Sequence, residues 1–118
     1  MALTTILAFL TGVRVRVRGQ SMYPVLVPGE GVLFDRLVYA RCDPAVGDVV
    51  LARDPRDGRY LIKRVSEVLG AQRYMLMGDD PEHSTDSRHF GPVPRSSIVG
   101  RAWLVYWPPK ALRRLNRM

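Results

Sequence analysis

The stretch DVVLARDPRDGRYLIKRVSEV, residues 48–68, carries the clearest fold signal in the chain. Two runs rich in Val, Leu and Ile, at residues 48–53 and 59–68, flank the segment DPRDG at residues 54–58. Proline and Asp-Gly chemistry favours a tight turn, and β-rich runs on both sides of such a turn are typical of a hairpin. The stretch therefore predicts two antiparallel strands.

Similar signals recur in the rest of the chain. Residues 13–18 alternate Val and Arg, which is the period-two pattern of a half-buried strand. The Gly- and Pro-rich segments 19–31 and 78–97 predict loops. Further strands are predicted at residues 32–38, 73–77 and 98–107. Because little of the chain has a helical pattern, the predicted fold class is all-β.

Length and composition limit the class of protein. A chain of 118 residues fits one domain, and 47% hydrophobic with 25% charged residues is ordinary for a globular protein. The single Cys42 excludes an internal disulfide framework and a thiol-based zinc cluster. The net charge of +7 is compatible with a basic module that binds nucleic acid or acidic lipid. However, no basic run is interleaved with aromatic residues as base stacking requires, so nucleic acid is not an expected partner.

The two ends of the chain differ from its middle. Residues 1–12 are apolar but interrupted by threonines, shorter than the roughly 20 residues of a membrane span, and not preceded by basic residues. They predict a short helix, either packed on the domain or lying on a membrane surface. Residues 13–107 form the predicted domain, and residues 108–118 are a basic tail. We expect a cytoplasmic or peripherally membrane-associated protein, with anchoring through the N-terminus as the alternative.

Ser21 is the first residue that could carry chemistry. It follows the first predicted strand, within a tight turn, and a serine hydroxyl needs a base to react at neutral pH. His83 and His89 are the only histidines, and either could pair with Asp86 in a triad. Exposed loop histidines are the simpler interpretation. The same loop also contains oxygen and nitrogen groups that could hold a cation weakly, at Asp79, Asp80, Glu82, His83, Asp86 and His89.

Lysine is the other available base. Only Lys63 and Lys110 are lysines among the 18 basic side chains, and arginine cannot act as a base near neutral pH. Strand alternation places Lys63 on one face with Leu61 and Val65, where burial would lower its pKa. A neutral amine beside a serine can accept the hydroxyl proton. The alternative is an edge-strand lysine whose ammonium group reaches water.

Four blocks together resemble, in order, those of the signal peptidase I family of Ser-Lys endopeptidases. The blocks are GQSMYPVL at 19–26 with PGE at 28–30, GDVV at 47–50, YLIKRV at 60–65, and GDD at 78–80 with STDSR at 84–88 and GPV at 91–93. The resemblance extends from about residue 17 to residue 107. It implies a compact signal-peptidase-like catalytic β core with minimal helix. The short segment between Lys63 and Gly78 implies that the extra β domain of larger members is absent.

The resemblance also implies catalytic roles. Ser21 would be the nucleophile, and its backbone N–H would contribute to the oxyanion hole. Lys63 would act as general base and then as general acid. Ser84 would orient the lysine, while Asp86 and Arg88 would brace the loop that carries it. No metal or cofactor is implied.

Two positions beside the nucleophile are also assigned by the resemblance. Met22 would help line the site. Gly19 stands where many bacterial members have a serine whose hydroxyl supports the oxyanion hole, so the resemblance does not identify the second donor.

The ending Tyr106-Trp107-Pro108-Pro109 and the lack of an evident anchor make the chain most similar to the nickel-type superoxide dismutase maturation proteases. That similarity implies removal of an N-terminal propeptide from a nickel superoxide dismutase precursor. A general signal peptidase that cleaves secretory or membrane precursors is the alternative within the enzyme class. In either case we expect the precursor to bind in extended form along a strand edge.

Overall fold

The computed structural model describes residue 7 and residues 10–115 of the chain. These residues form one eight-stranded antiparallel sheet. The strands are β1 Val13–Arg16, β2 Gly31–Asp35, β3 Val49–Arg53, β4 Tyr60–Leu69, β5 Arg73–Met77, β6 Val93–Pro94, β7 Ile98–Trp107 and β8 Arg113–Arg114. Helical turns connect them, at Val38–Ala40, Pro81–His83, Ser87–Phe90, Arg95–Ser97 and Pro109–Ala111. The predicted all-β class is confirmed.

The hairpin predicted from residues 48–68 is present. β3 pairs with β4 in a register that places Val50 opposite Lys63. The turn forms because the Asp54 carboxylate accepts a hydrogen bond from the Arg56 backbone N–H at 2.8 Å. Gly58 supplies the left-handed conformation that the turn needs, with φ of +79°.

The order of strands across the sheet is β1-β2-β7-β3-β4-β5-β6, and β8 pairs with β7. β7 therefore lies between β2 and β3, which joins the first part of the chain to the β3–β4 hairpin. Only some of these neighbours follow one another in sequence. The pairing of β7 with both β2 and β3 sets the distance between the loop before β2 and the strand β4.

Several predicted elements differ from the structure. The strand predicted at residues 13–18 ends at Arg16, and β6 lies within the segment 78–97 that was predicted to be a loop. β2 ends at Asp35 rather than at residue 38, because the Asp35 carboxylate accepts the Leu37 backbone N–H at 2.8 Å and turns the chain. The segment predicted as a basic tail, residues 108–118, contains a short strand, because Arg113–Arg114 pairs with β7 as β8. The long loop after β5 contains the one-turn helix Ser87–Phe90, whose first turn is capped by the Asp86 side chain.

The prediction for residues 1–12 falls mostly outside the described residues. Leu7, Leu10 and Thr11 have helical backbone, and the Thr11 hydroxyl donates to the Leu7 carbonyl oxygen at 2.6 Å. Within the part of the chain that the structure describes, no helix is long and apolar enough to cross a bilayer.

Two clusters of buried side chains form the core. The first includes Val17, Phe34 and, from the loop between β1 and β2, Met22 and Leu26. Met22 is 2% exposed and Leu26 is fully buried. Burying a side chain of this size contributes about 1.5–3 kcal/mol. These two residues therefore anchor the loop that contains Ser21 to the first core cluster.

Candidate active site

Ser21 lies on a loop whose two ends are fastened to each other. The Val17 N–H donates to the Glu30 carbonyl oxygen at 2.7 Å, and the Gly29 N–H donates to the Val17 carbonyl oxygen at 2.9 Å. Gly19 has a φ of +71°, which a glycine adopts without strain and which turns the chain toward Ser21. Ser21 itself is half-buried, next to the core residue Met22. The loop thus presents Ser21 from a fixed base.

Lys63 lies near the middle of β4, where its side chain is 3% exposed. Its Nζ donates a hydrogen bond to Ser84 Oγ at 3.0 Å. Burial lowers the pKa of Lys63 below its ordinary value; the negative charge of Asp86 opposes this effect, and the positive charge of Arg88 adds to it. The structure therefore does not contain the solvent-reaching edge lysine that the sequence left as an alternative. Instead, the amine of Lys63 is largely removed from solvent and lies beside the Ser84 hydroxyl.

A chain of hydrogen bonds continues from Ser84. Ser84 Oγ donates to Asp86 Oδ2 at 2.6 Å, and Arg88 Nε donates to Asp86 Oδ1 at 2.9 Å. Asp86 is fully buried and also accepts the Gly78 N–H at 2.9 Å. Burial alone would raise the pKa of Asp86, but the hydrogen bonds from Arg88, Ser84 and Gly78 outweigh it and hold that pKa well below the usual range. Asp86 is thus a carboxylate at neutral pH.

Gly78 and Asp80 bring the Ser21 loop against the Ser84 loop. The Asp80 N–H donates to the Ser21 carbonyl oxygen at 2.8 Å. A Cβ added to Gly78 would overlap Ser84 Oγ and would lie 2.7 Å from the Ser21 carbonyl oxygen. Because both residues pack against the same glycine, the loop containing Ser21 sits beside the residue that holds Lys63.

A second link joins β4 to the same loop, next to Lys63. The Arg64 guanidinium forms two hydrogen bonds to the Asp79 carboxylate, with Nε to Oδ1 at 2.9 Å and Nη2 to Oδ2 at 2.8 Å. Arg64 also donates to the Gly47 carbonyl oxygen at 2.8 Å. A paired arginine of this kind fixes orientation as well as distance. The ion pair therefore holds the start of the Ser84 loop against the strand of the lysine.

Ser21 and Lys63 line the same cleft, which has a volume of about 400 Å³. One wall is residues 15–18, at the end of β1 and just after it, and the other is residues 58–63, at the start of β4 and just before it. β1 pairs only with β2, and β5 pairs with β4 only from Arg64 onward. Both walls are therefore strand edges without a neighbouring strand on the cleft side, among the residues that the structure describes.

Backbone groups on β4 face this cleft. Val65 exchanges hydrogen bonds with Asp48 and Gly47 on the β3 side. Because the backbone of an antiparallel strand alternates its direction, Lys63 and Leu61 also bond toward β3, while Ile62 and Tyr60 point their N–H and C=O groups away from it. An extended peptide in the cleft can pair with those groups.

The histidines and the acidic residues of the loop form hydrogen bonds and ion pairs within the loop and with nearby arginines. His83 Nδ1 lies 2.8 Å from Asp80 Oδ2, and His89 Nδ1 accepts the Asp86 N–H at 3.3 Å as part of a helix cap. Both imidazoles are exposed, as the simpler interpretation predicted. Asp79 and Asp86 face arginines. Among the described residues no three His, Cys, Asp or Glu side chains converge as metal ligands would.

The structure brings together most of the predicted site residues. Ser21, Lys63, Ser84, Asp86 and Arg88 are linked through direct contacts or through Gly78, whereas Met22 packs into the core and Gly19 is exposed. The sequence analysis did not assign roles to Gly78, to the Arg64–Asp79 pair, or to Glu30, which binds Arg113. Gly78, Asp79 and Glu30 stand inside the quoted blocks, which was the available signal for them.

Comparison with known proteins identifies the family to which the chain belongs. The family described as signal peptidase, peptidase S26 matches residues 1–72 and 66–107. Mitochondrial ATP-independent inner membrane protease subunit 1a of Arabidopsis thaliana is 35% identical, over 80% of this chain and 70% of the relative. Mitochondrial inner membrane protease subunit 1 of Schizosaccharomyces pombe is 35% identical over 76% and 70%, and subunit 2 of Danio rerio is 34% identical over 86% and 67%. The chain belongs to the S26 signal peptidase family of peptidases.

Proposed function

We propose that the chain is a serine endopeptidase in which Ser21 is the nucleophile and Lys63 is the general base. The observation that carries this proposal is the burial of Lys63 at the wall of the cleft that also contains Ser21. A lysine whose pKa is lowered by burial is neutral in a larger fraction of molecules, and only the neutral amine can accept a proton.

The hydrogen bonds around Ser84 support a specific role for it. Asp86 is a carboxylate and can only accept, so the single hydroxyl proton of Ser84 points to Asp86 Oδ2. Ser84 Oγ is then an acceptor toward Lys63, and it engages one N–H of the amine. This leaves the lone pair of neutral Lys63 for another partner. We assign that partner as the Ser21 hydroxyl, which makes Ser84 a positioning residue.

The reaction follows from these roles. Ser21 Oγ attacks the carbonyl carbon of the scissile bond while its proton passes to Lys63 Nζ, and the protonated lysine then donates that proton to the leaving amine. The resulting ester on Ser21 is attacked by water, whose proton again passes to Lys63. The new carboxyl end of the peptide is then released and Ser21 regains its proton.

The substrate is proposed to be a precursor protein, bound in extended form between the edges of β1 and β4. The relatives named as inner membrane proteases favour a precursor that is processed at a membrane. The resemblance in residues 106–109 favours a nickel superoxide dismutase precursor, although none of the three relatives above is named for that enzyme. We therefore propose precursor processing and keep both substrate classes for the test.

The test is cleavage of co-expressed precursors, read by intact mass. Wild type, Ser21→Ala and Lys63→Met are compared, with Lys110→Met as the matched control because Lys110 is the other lysine and is exposed. One substrate is a nickel superoxide dismutase precursor and the other is a secretory precursor. We expect wild type and Lys110→Met to remove a discrete N-terminal segment, and both dyad variants to lose at least about 10³-fold in rate.

Each outcome assigns the function differently. Cleavage of the secretory precursor alone would support general signal processing and remove the superoxide dismutase proposal. Cleavage that persists in Ser21→Ala would overturn the dyad. If folded wild type cleaves neither precursor but binds nucleic acid or anionic lipid in a strongly salt-dependent way, the alternative of a non-enzymatic basic module is favoured.

A further inference from the structure

Four arginines border the cleft that contains Ser21 and Lys63. They are Arg16, Arg18, Arg53 and Arg59. All four are exposed, and no Asp or Glu is among the described residues that line the cleft. The positive charges come from both walls, since Arg16 and Arg18 belong to the β1 side and Arg53 and Arg59 to the hairpin side. A bound peptide would therefore lie between two rows of cations.

Most of this charge is not neutralised within the described part of the protein. Arg53 donates to the Gly58 carbonyl oxygen at 2.9 Å and lies over the Tyr60 ring, 4.6 Å from its centroid, so its partners are uncharged. Arg59 forms a solvent-exposed ion pair with Asp57. The guanidinium groups of Arg16 and Arg18 form no hydrogen bond or ion pair with another described residue, although the backbone of Arg16 pairs with Gly31 in the sheet.

Arginines elsewhere in the molecule behave differently. Arg56, Arg64 and Arg88 each hold a carboxylate through at least two hydrogen bonds. A solvated arginine is common, but a set of them around one cleft raises the local concentration of anionic groups. The arrangement points to a ligand with negative charge.

The position of the charges relative to the proposed nucleophile can be read from the strand register. Arg53 is opposite Tyr60, and Tyr60 is three residues from Lys63 along β4. Three residues of extended strand span about 10 Å. The proposed function places the scissile bond beside Lys63. An extended peptide advances by the same distance per residue as β4, so its third to fifth residues from that bond would lie beside Arg53 and Arg59.

We propose that the cleft selects precursors with acidic residues about three to five positions from the scissile bond. The proposal rests on the proposed function, because it assumes that peptides bind in this cleft. Solvent-exposed charge pairs discriminate modestly, so the expected preference for Glu over Gln is about three- to tenfold at low salt. Screening should reduce it to within about twofold at 0.5 M NaCl.

The experiment uses twelve-residue fluorescent peptides with Ala on both sides of the central bond. One set has Glu at the third to fifth positions on the N-terminal side, a second set has Glu at the same positions on the C-terminal side, and each has a Gln counterpart. Wild type gives kcat/KM, and the Ser21→Ala protein gives the dissociation constant from fluorescence anisotropy. Binding to Ser21→Ala is measured without cleavage, so it tests the cleft even where the proposed chemistry fails.

A double variant and a control test the residues. In Arg16→Gln/Arg53→Gln the ratio of Glu to Gln affinity should fall to less than about half its wild-type value, with the remainder due to Arg18 and Arg59. Arg73→Gln/Arg114→Gln makes the same change of two charges at exposed positions on β5 and β8 that do not line the cleft, and it should keep the wild-type ratio.

The outcomes separate the two proposals. Cleavage of Gln peptides with equal affinity for Glu and Gln peptides on both sides overturns the charge preference and leaves the protease intact. A Glu preference in binding without any cleavage supports the cleft inference and removes the dyad. If Glu and Gln peptides bind equally and the double variant loses binding to vesicles of anionic phospholipid, the arginines face a membrane surface instead.

Discussion

The two sides of the candidate site are held in different ways. On the lysine side, Lys63 and Asp86 are buried, and three consecutive hydrogen bonds run from Lys63 through Ser84 and Asp86 to Arg88. On the serine side, Ser21 is half-buried, and the contacts that fix it run through backbone groups and through neighbouring residues such as Met22.

This difference is what the proposed roles of the two groups would require. A lysine can act as a base near neutral pH only when burial and nearby charges lower its pKa. Its side chain must therefore be enclosed by the protein. A nucleophile must reach a substrate that arrives from outside, so its hydroxyl has to stay accessible while its backbone is fixed. The comparison predicts that variants on the lysine side affect activity and stability together, whereas distant variants on the serine side have smaller effects.

Among variants outside the proposed dyad, the largest effect is expected for Asp86→Asn. The amide would direct an N–H₂ group toward donors that now meet a carboxylate, which are the Ser84 hydroxyl, the Gly78 N–H and Arg88. Breaking this buried hydrogen-bond network should lower the free energy of unfolding by about 3 kcal/mol and kcat/KM by about 100-fold. Urea denaturation and peptide cleavage measure the two effects.

The control for Asp86→Asn is Asp57→Asn, which changes an exposed ion pair with Arg59. It should alter stability by less than about 0.5 kcal/mol. Equal effects of the two substitutions on stability would contradict the view that the lysine side depends on its buried carboxylate.

The next largest effect is expected for Gly78→Ala, which changes the contact between the two sides. The added Cβ would overlap Ser84 Oγ and approach the Ser21 carbonyl oxygen, so the loops must separate. We expect a loss of about 1–3 kcal/mol in stability and of about 10- to 100-fold in kcat/KM. Gly70→Ala is the matched control because no atom lies within 4 Å of its added Cβ. Wild-type activity in Gly78→Ala would show that the two loops need not touch.

A pH series tests the lowered pKa of Lys63 without an activity assay. Between that lowered pKa and the ordinary value of 10.5, the unfolded chain holds a proton that the folded protein has released. The free energy of unfolding of wild type should therefore rise with pH relative to Lys63→Met, by at most about 1.4 kcal/mol per pH unit.

Urea titrations at several pH values between 7 and about 10 measure this difference, a range that ends below the ordinary lysine pKa. Lys110→Met, which removes the exposed lysine, is titrated in parallel as the control. Parallel curves for wild type and Lys63→Met would mean that Lys63 keeps an ordinary pKa, and the proposed base would lose its main physical support.

The smallest effect is expected for Arg113→Gln, which acts on the serine loop from a distance. Arg113 donates to both carboxylate oxygens of Glu30, at 2.8 and 2.9 Å, and to the Val25 carbonyl oxygen at 2.8 Å. The pair is partly exposed, so we expect about 1 kcal/mol in stability and a two- to fivefold loss in kcat/KM.

Arg114→Gln is the control for Arg113→Gln, since Arg114 has the same charge, is next in sequence and is exposed. It should leave both quantities near wild type. A loss above about 100-fold in Arg113→Gln would place the tail within the catalytic machinery, and so would contradict the comparison between the two sides.

Sequence patterns predicted local features better than spatial ones. β5 and β7 have the predicted bounds, because alternation and flanking Gly or Pro residues are local signals. The burial of Lys63 was one of the two alternatives that the same alternation left open. The contact of Lys63 with Ser84, 21 residues later, came only from the family resemblance, since nothing in the spacing specifies it.

Other features depend on strand order and could not be predicted. The pattern in residues 13–18 placed arginines on one face of β1, but it did not indicate that Arg53 would border the same cleft. That arrangement depends on the pairing of β7 with both β2 and β3. The pairing of Arg113–Arg114 with β7 was likewise not predicted, because the sequence of this segment indicates only a basic tail.

The position of β7 has a consequence for how the protein is made. Ser21, Lys63 and Ser84 all precede residues 98–107 in the chain, so a ribosome completes them first. Until β7 has left the exit tunnel, however, no strand joins β2 to β3, and the two walls of the cleft have no common frame. The growing chain therefore contains the proposed nucleophile and base before it contains a protease, which separates synthesis of the enzyme from the onset of its activity.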